Sequence, residues 1–255
     1  MESLNLQKIG VQDLDAVLHG ESAGGAKHME SLDLHKMSVR ELNQYLHKEF
    51  AQKGVKKLEI LNPDGLHSIA VGLDVPAEVD IQGHGGYYIA GMNKQAKVTV
   101  HGNVGWGVAE NMMSGEVRVK GFASEAAGAS GHGGTLIIEG DASLRCGISM
   151  KGIDIVVGGN IGNFSAFMGQ AGRLVVCGNA GDALGDSLYE AVIYIRGNIK
   201  SLGADAREEP MADADYASVK ELLDRAGFKH DPKEFKRIAS AKSLYNWNAD
   251  ANQEY

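Results

Sequence analysis

The sequence predicts a mainly β protein: a single-stranded, right-handed parallel β-helix with 19-residue coils, flanked by short N- and C-terminal helices. Three observations predict it. Gly83, Gly102, Gly121, Gly140, Gly159, Gly178 and Gly197 follow one another at a spacing of 19 residues without a slip, the mark of a repeat architecture. Two and four residues before each stand branched aliphatics, from Val79 and Ile81 through Val117 and Val119 to Ile193 and Ile195. Seven residues after each comes only Ala or Gly, from Ala90 and Ala109 to Gly185 and Ala204.

Aliphatics that alternate over a short segment read as a strand with one buried face. The closing Gly reads as a sharp exit where positive φ costs nothing. The small residues seven places on read as a column where successive coils stack too tightly for larger side chains. A leucine-rich-repeat horseshoe has a similar period, but it needs an extra leading leucine and a helical return. Here the return is rich in Gly and Ala, as in "GNIGNFSAFMGQAG". Seven coils at the ~4.8 Å strand spacing make a rod roughly 30 Å long.

The remaining elements fall in order around the repeat. Residues 1–28 are a duplicated leader: "MESLNLQKIGVQDLDAVLHGE" and "MESLDLHKMSVRELNQYLHKE" match at an offset of 28, separated by the flexible composition "SAGGAKH". Residues 29–76 are expected to cap the open N-terminal end, which would otherwise expose an apolar coil and an unpaired edge. Within them Ser38 and Glu41 form a capping box ahead of Leu42, Tyr45, Leu46 and Phe50 at helical spacing, and "KKLEILNP" reads as a strand stopped by Pro63. The β-helix is expected over 77–210. Over 211–255, "ADYASVKELLDRAG" places Tyr216, Val219, Leu222, Leu223 and Ala226 on one helical face with Gly227 as the stop; a second short helix starts at Pro232, and an aperiodic tail follows.

Composition limits the function. The 255 residues carry a formal net charge of -8, against the basic surface that nucleic acid or anionic lipid selects. The sequence holds no secretory signal pattern and no apolar run of membrane-spanning length, so a cytoplasmic location is expected. Cys146 and Cys177 are the only cysteines; they are too few for a disulfide framework or a thiolate metal site and read as buried thiols.

No reactive constellation emerges. His84, His101 and His132 fall at different phases of the coil, which gives no metal-facing column. Asp141, Asp154, Asp182 and Asp186 also scatter, unlike the acidic groove of a carbohydrate-active β-helix. Met112, Met113, Met150 and Met168 either line an apolar passage or fill gaps. The motifs of zincins, P-loops and nucleophile elbows are absent. The expected catalytic, cofactor-binding and metal-binding residues are therefore none.

One column does carry information. Three residues before each Gly stand Asp80, Thr99 and Arg118, then Ile137, Val156, Val175 and Tyr194. A solvated face has no reason to turn apolar midway. Ile137, Val156, Val175 and Tyr194 are thus a candidate interface, covered by a partner or by the chain's own C-terminal segment. The column just before the Gly, from Gln82 and His101 to Arg196, stays mostly polar and is expected to face water.

These phrases resemble a known family. "GYYIAGMNKQAKVTVHGN", "GVAENMMSGEVRVKG", "RCGISMKGIDIVVGGNIG", "LGDSLYEAVIYIRG" and "KSLGAD" are similar to the glycine-rich (GXGXG) β-helix domain of glutamate synthases, and most of all to the separate β-helix subunit of N-methylglutamate synthases. The likeness covers about residues 55 to 255, and the duplicated leader departs from it. The resemblance implies a multi-subunit, flavin-dependent enzyme that makes N-methylglutamate from methylamine and glutamate. It implies partners too: an amidotransferase-like subunit and an FMN-binding, iron–sulfur-bearing synthase subunit in a hetero-oligomer. This chain lacks an N-terminal nucleophilic Cys, the length for an FMN barrel and the cysteine spacing of a cluster. On that resemblance it is a structural subunit, itself non-catalytic, which joins the others and walls a passage for ammonia or methylamine. Two related β-helix components, of glutamate synthase and of formylmethanofuran dehydrogenase, remain as alternatives. A stand-alone carbohydrate-active enzyme is the alternative of another class.

Overall fold

The computed structural model describes residues 29–50, 52–53 and 56–243. Residues 1–28, the expected duplicated leader, and most of the expected C-terminal tail lie outside the described residues. Eleven strands form one sheet in the order β1-β2-β3-β4-β5-β6-β7-β8-β9-β11-β10. They are β1 (Met29–Asp33), β2 (Lys57–Leu61), β3 (Glu78–Gln82), β4 (Lys97–Val100), β5 (Glu116–Val119), β6 (Thr135–Ile138), β7 (Lys151–Val157), β8 (Ala171–Val176), β9 (Val192–Ile195), β10 (Ala206–Glu209) and β11 (Lys236–Ser240). Two helices flank them: α1 (Val39–Lys48) and α2 (Asp213–Ala226).

The expected parallel solenoid is present. From β3 to β9 each strand pairs parallel with the next, and residue i faces residue i+19, as in Val79↔Val98↔Val117↔Leu136↔Ile155↔Leu174↔Ile193. The fourteen ladder aliphatics point inward and are at most 1% exposed, because period-two side chains share one face of a strand. Two further sides of each coil are also hydrogen-bonded. A row of single bridges runs from Gly85 through Val104, Ala123, Ala142, Ile161 and Ala180 to Ile199. An arch on the third side bonds Ala109 N–H to Ile89 O at 2.9 Å, Gly128 N–H to Val108 O at 2.8 Å and Ala166 N–H to Cys146 O at 2.7 Å.

The register glycines do not play the expected role of a positive-φ exit. Of the seven register glycines only Gly83 lies in the left-handed region, at φ 137°. The others are small because the coils approach there: a Cβ on Gly102 would sit 2.5 Å from Gly83 O, and one on Gly140 would sit 2.9 Å from Gly121 O. The N–H of Gly121 bonds Gly102 O, and that of Gly140 bonds Gly121 O, both at 3.0 Å. Positive φ belongs instead to the columns five, seven and nine residues on, and in the middle one tight packing keeps the side chains small as well: a Cβ on Gly128 would sit 2.6 Å from Ile155 Cδ1. Ala90, Ala109, Gly128, Gly147, Ala166 and Gly185 all have φ between 52° and 72°. A left-handed conformation costs an L residue roughly 1–2 kcal/mol and excludes β-branched side chains, and all six are buried.

The ends also differ from the simple reading. β1 and β2, in the segment expected as a cap, are already rungs of the sheet, in register at Met29↔Lys57 and Lys57↔Glu78. α1 lies between them. Its capping box forms as the sequence indicates: Ser38 Oγ accepts from Glu41 N–H, and Ser38 N–H donates to the Glu41 carboxylate at 2.8 Å. Its buried face is Leu42, Tyr45 and Leu46. At the other end, the expected helix at Pro232 is a three-residue 3-10 turn, Pro232–Glu234. The chain then extends into β11, which enters antiparallel between β9 and β10. The ladder bonds available at the edge of β9 outweigh the local helix start, since an unpaired edge leaves backbone groups unmet.

Candidate functional site

The outward surface of the rod is where this chain can act on anything else, because its inside is filled. Met112 and Met150 lie in that interior at 0% exposure, whereas Met113 and Met168 lie outside at 44% and 37%. The four methionines therefore line no common passage.

The four residues of the candidate interface are brought together. Ile137, Val156 and Val175 are fully buried and Tyr194 is 4% exposed. They form a second core, separate from the inside of the rod, with Val219, Leu222, Leu223 and Ala226 of α2 and with Phe235. Of the two covers expected for them, the structure supplies the chain's own C-terminal segment. This stripe is accordingly closed to a partner.

Polar residues fix the two ends of α2. At its start the Asp215 carboxylate accepts from Ala212 N–H at 2.8 Å and from the Tyr194 hydroxyl at 2.7 Å, with Arg237 beside it at 3.3 Å. Burial raises the Asp215 pKa, but these donors outweigh it and hold the carboxyl below its ordinary value. At the other end Arg118 donates to Ala226 O at 3.0 Å and Arg225 O at 3.1 Å, where the helix dipole favours a cation. Arg118 also pairs with Glu139, which Lys120 reaches at 2.7 Å. The column changes from polar to apolar at Arg118 because α2 ends there.

The dispersed polar residues bind coil to coil. In the column after the register Gly, His84 Nδ1 accepts from Asn103 N–H, Asn103 Oδ1 from Phe122 N–H, Asp141 Oδ1 from Asn160 N–H, Asn160 Oδ1 from Asn179 N–H and Asn179 Oδ1 from Asn198 N–H, at 2.6–3.0 Å. Of the other candidates, Asp154 makes a two-pronged pair with Arg173, Asp182 pairs with Lys200, Asp186 accepts from Ala204 N–H at 3.2 Å, and His101 faces Asp80. Among the described residues no group of three or more His, Cys, Asp or Glu is arranged to hold a metal ion. Burial raises the Cys146 thiol to about 12 and the Cys177 thiol to about 11, so neither is a thiolate at neutral pH. No helix among the described residues is long and apolar enough to cross a membrane.

One surface feature was not read from the sequence. At the corner four and five residues past the register Gly, large apolar side chains stay exposed: Tyr87 43%, Tyr88 46%, Trp106 47%, Leu144 39%, Phe164 44% and Leu202 38%. His67, Tyr87 and Trp106 stack in sequence, with ring centroids 4.3 and 5.4 Å apart. The rings lie over glycines of the following coil: a Cβ on Gly105 would be 2.6 Å from Tyr87 Cδ1, and one on Gly107 2.8 Å from Tyr88 Cδ1. Moreover, Tyr88 and Phe164 hold left-handed backbone, at φ 58° and 56°. The available signal was apolar residues recurring at the 19-residue spacing on an outward phase.

No family model matches the chain. Over 198 residues it is 56% identical to Protein GlxC of Rhizobium meliloti (strain 1021), an alignment that takes in 77% of this chain and 87% of that protein.

Proposed function

The chain belongs to the family of Protein GlxC, and from that premise we propose that it is the structural β-helix subunit of a multi-subunit, flavin-dependent enzyme of the glutamate-synthase type. Its phrases resemble those of the β-helix subunit of N-methylglutamate synthase, which supports that activity for the assembly. Its task is to hold an amidotransferase-like subunit and an FMN- and iron–sulfur-bearing subunit at a fixed separation. The observation that carries this reading is a rod bonded coil to coil on three sides, with side chains that are spent on those bonds. A strut of this kind resists bending, and geometry fixed between distant centres limits the loss of a reactive intermediate.

The filled interior constrains the route of that intermediate. The axis is packed with Val, Ile and Leu, which supports a reading in which this chain walls a passage for ammonia or methylamine on its outer surface, against a partner. Methylamine and glutamate give N-methylglutamate and ammonia without net redox change; the chemistry belongs to the partners' centres.

The test is purification of the tagged full chain from its own cells. Co-elution of flavin-absorbing partners, together with methylamine-dependent formation of N-methylglutamate, is expected from the assembly and not from the chain alone. A lone chain that turned over substrate, or one that never brought a flavin-bearing partner, would overturn the reading.

A further inference from the structure

We infer that the open edge of β1 is the docking site for residues 1–28 of the same chain, which add one more coil to the rod. Met1–Asn5 then lies parallel to β1 in a register that runs from Met1↔Met29 to Asn5↔Asp33. Among the described residues β1 is the first strand of the sheet and is bonded to β2 alone. In a parallel ladder successive residues turn their backbone groups to opposite sides. Leu34 N–H bonds Leu61 O at 3.1 Å, so Ser31 and Asp33, of the other parity, direct their N–H groups toward the open side. Such an edge is a template for a further strand. Apolar side chains are also left at this end: Met29 is 53% exposed, and Met37 and Val39 are half-buried.

Three observations select the occupant, and the first is the length of the repeat. Residues 1–21 and 29–49 recur at a step of 28, and the coil that begins at β1 is itself 28 residues long, since Met29 pairs with Lys57. The next coil takes 21, from Lys57 to Glu78, and those from β3 to β9 take 19. The leader is therefore cut to the length of the coil it would lie on and of no other.

The second is what the repeat keeps. Eleven of the 21 aligned positions are identical. They include Leu4, Leu6, Val11, Leu14 and Leu18, the counterparts of Leu32, Leu34, Val39, Leu42 and Leu46. Those four later leucines are at most 7% exposed, and Val39 packs against the same core. Of the ten positions that differ, only Tyr45, matched by Val17, is buried. The leader thus carries the inward apolar set that closes a coil, with its changes on the outside.

The third is the tether. Residues 22–28 correspond in number to 50–56, the segment that leads from α1 to β2, so the chain length that closes the first coil is available again. A short tether holds a segment at about mM effective concentration, and the chain's own leader outcompetes that of a second copy at μM. The added coil is the weakest of the rod. Gly10 and Asp13 stand in place of the Ser38–Glu41 capping box, and Val17 in place of the Tyr45 whose hydroxyl bonds Glu30. Glu2 comes one step from Glu30, like charge beside like. A helix about 10 Å wide on strands ~4.8 Å apart makes the coil fan outward.

The experiment uses the full chain and assumes nothing about its function. Residue-resolved amide exchange is compared between the wild type and Leu4→Asp/Leu14→Asp, which leaves residues 29–255 untouched. Ser31 and Asp33 amides should exchange at least tenfold faster in the variant, while Leu32 and Leu34, bonded to β2, stay as they were. Equal rates at Ser31 and Asp33 in the two chains overturn the inference. A second measurement fixes register and origin. In-register neighbours ~4.8 Å apart lie within disulfide reach, and the native Cys146 and Cys177 are buried. In a glutathione buffer Ser3→Cys/Ser31→Cys should form an intrachain disulfide at least tenfold more than Gln7→Cys/Ser31→Cys, which stands four residues out of register on a loop of similar length. Equal yields would mean a leader that meets β1 in no register. A disulfide-linked dimer would mean that the occupant comes from a second copy. Either result overturns the inference.

Discussion

Arg118 on β5 and Ala226 at the end of α2 are joined across 108 residues of sequence, the guanidinium Nη1 donating to the helix carbonyl at 3.0 Å. With the Tyr194–Asp215 bond at the other end, this fixes α2 along four coils. Removing the guanidinium leaves two helix carbonyls and Glu139 with fewer donors. Arg118→Ala should cost about 1.5–3 kcal/mol, the range for a hydrogen bond to a charged group, read as a lower urea midpoint and faster amide exchange in α2. Arg118→Lys should recover only part of this, since a single ammonium cannot fork to both carbonyls. Unchanged exchange in α2 would refute the assignment.

Burying a charge beneath the same helix is a harsher test. Val156 and Val175 are 0% exposed under Leu222 and Leu223. Val156→Glu should lose on the order of 3–5 kcal/mol, as for an unpaired buried charge, or release α2 from the rod. Limited proteolysis within 213–226 would show the release. A variant with wild-type stability and a protected helix would mean that the stripe is not covered as described.

The two small columns make opposite predictions. Gly140→Ala places a Cβ 2.9 Å from Gly121 O, and overpacking of this kind costs about 1–3 kcal/mol; Gly140→Val should be worse. Ala109→Gly, at φ 55°, should stay within about 1 kcal/mol of wild type, because relief of the left-handed strain offsets the added chain entropy. Ala109→Val should be severe. Thermal melts of the four variants separate steric crowding from backbone strain. Equal tolerance of Gly140→Ala and Ala109→Gly would contradict the assignment.

Acid should loosen the cover before it melts the rod. Burial raises the Glu139 pKa, but the bonds from Lys120 and Arg118 outweigh it, and the carboxyl stays below its ordinary value; Asp215 behaves likewise through Ala212, Tyr194 and Arg237. A carboxyl whose folded pKa is depressed stabilises the fold above its unfolded pKa of about 4. That contribution is lost as pH falls through the lower folded value. Stability should therefore be flat from pH 7 to about 5 and fall below about 4, with α2 amides exchanging first. Earlier loss from the solenoid strands would contradict this order.

Thiol labelling checks the interior directly. Cys146 is 0% exposed, and its pKa is raised by burial to about 12. A maleimide at pH 7.5 should leave it unmodified in the native chain and label it fully in guanidinium. Rapid native labelling would show an open interior.

How much of this was legible beforehand differs element by element. The coil register from β3 to β9 could be read outright, since a 19-residue recurrence of inward aliphatics and small residues admits one stacking. The α1 capping box and the apolar face of α2 were equally local. The reason for the register glycines was not, because sequence shows that a side chain is excluded but not whether φ or a neighbouring carbonyl excludes it. β11 was lost to the Asp231–Pro232 helix start, a local preference overridden by ladder bonds at the edge of β9. The polar candidates looked scattered because their partners stand one coil away.

By itself, then, the sequence determined the period, the inward faces and the absence of a recognisable catalytic motif, since all three are written in residue types at fixed spacings. Only the tertiary structure decided what covers Ile137, Val156, Val175 and Tyr194, and which corner stays bare. Covering is a contact between segments up to 109 residues apart, and residue spacing along one segment does not encode which distant segment will lie over it.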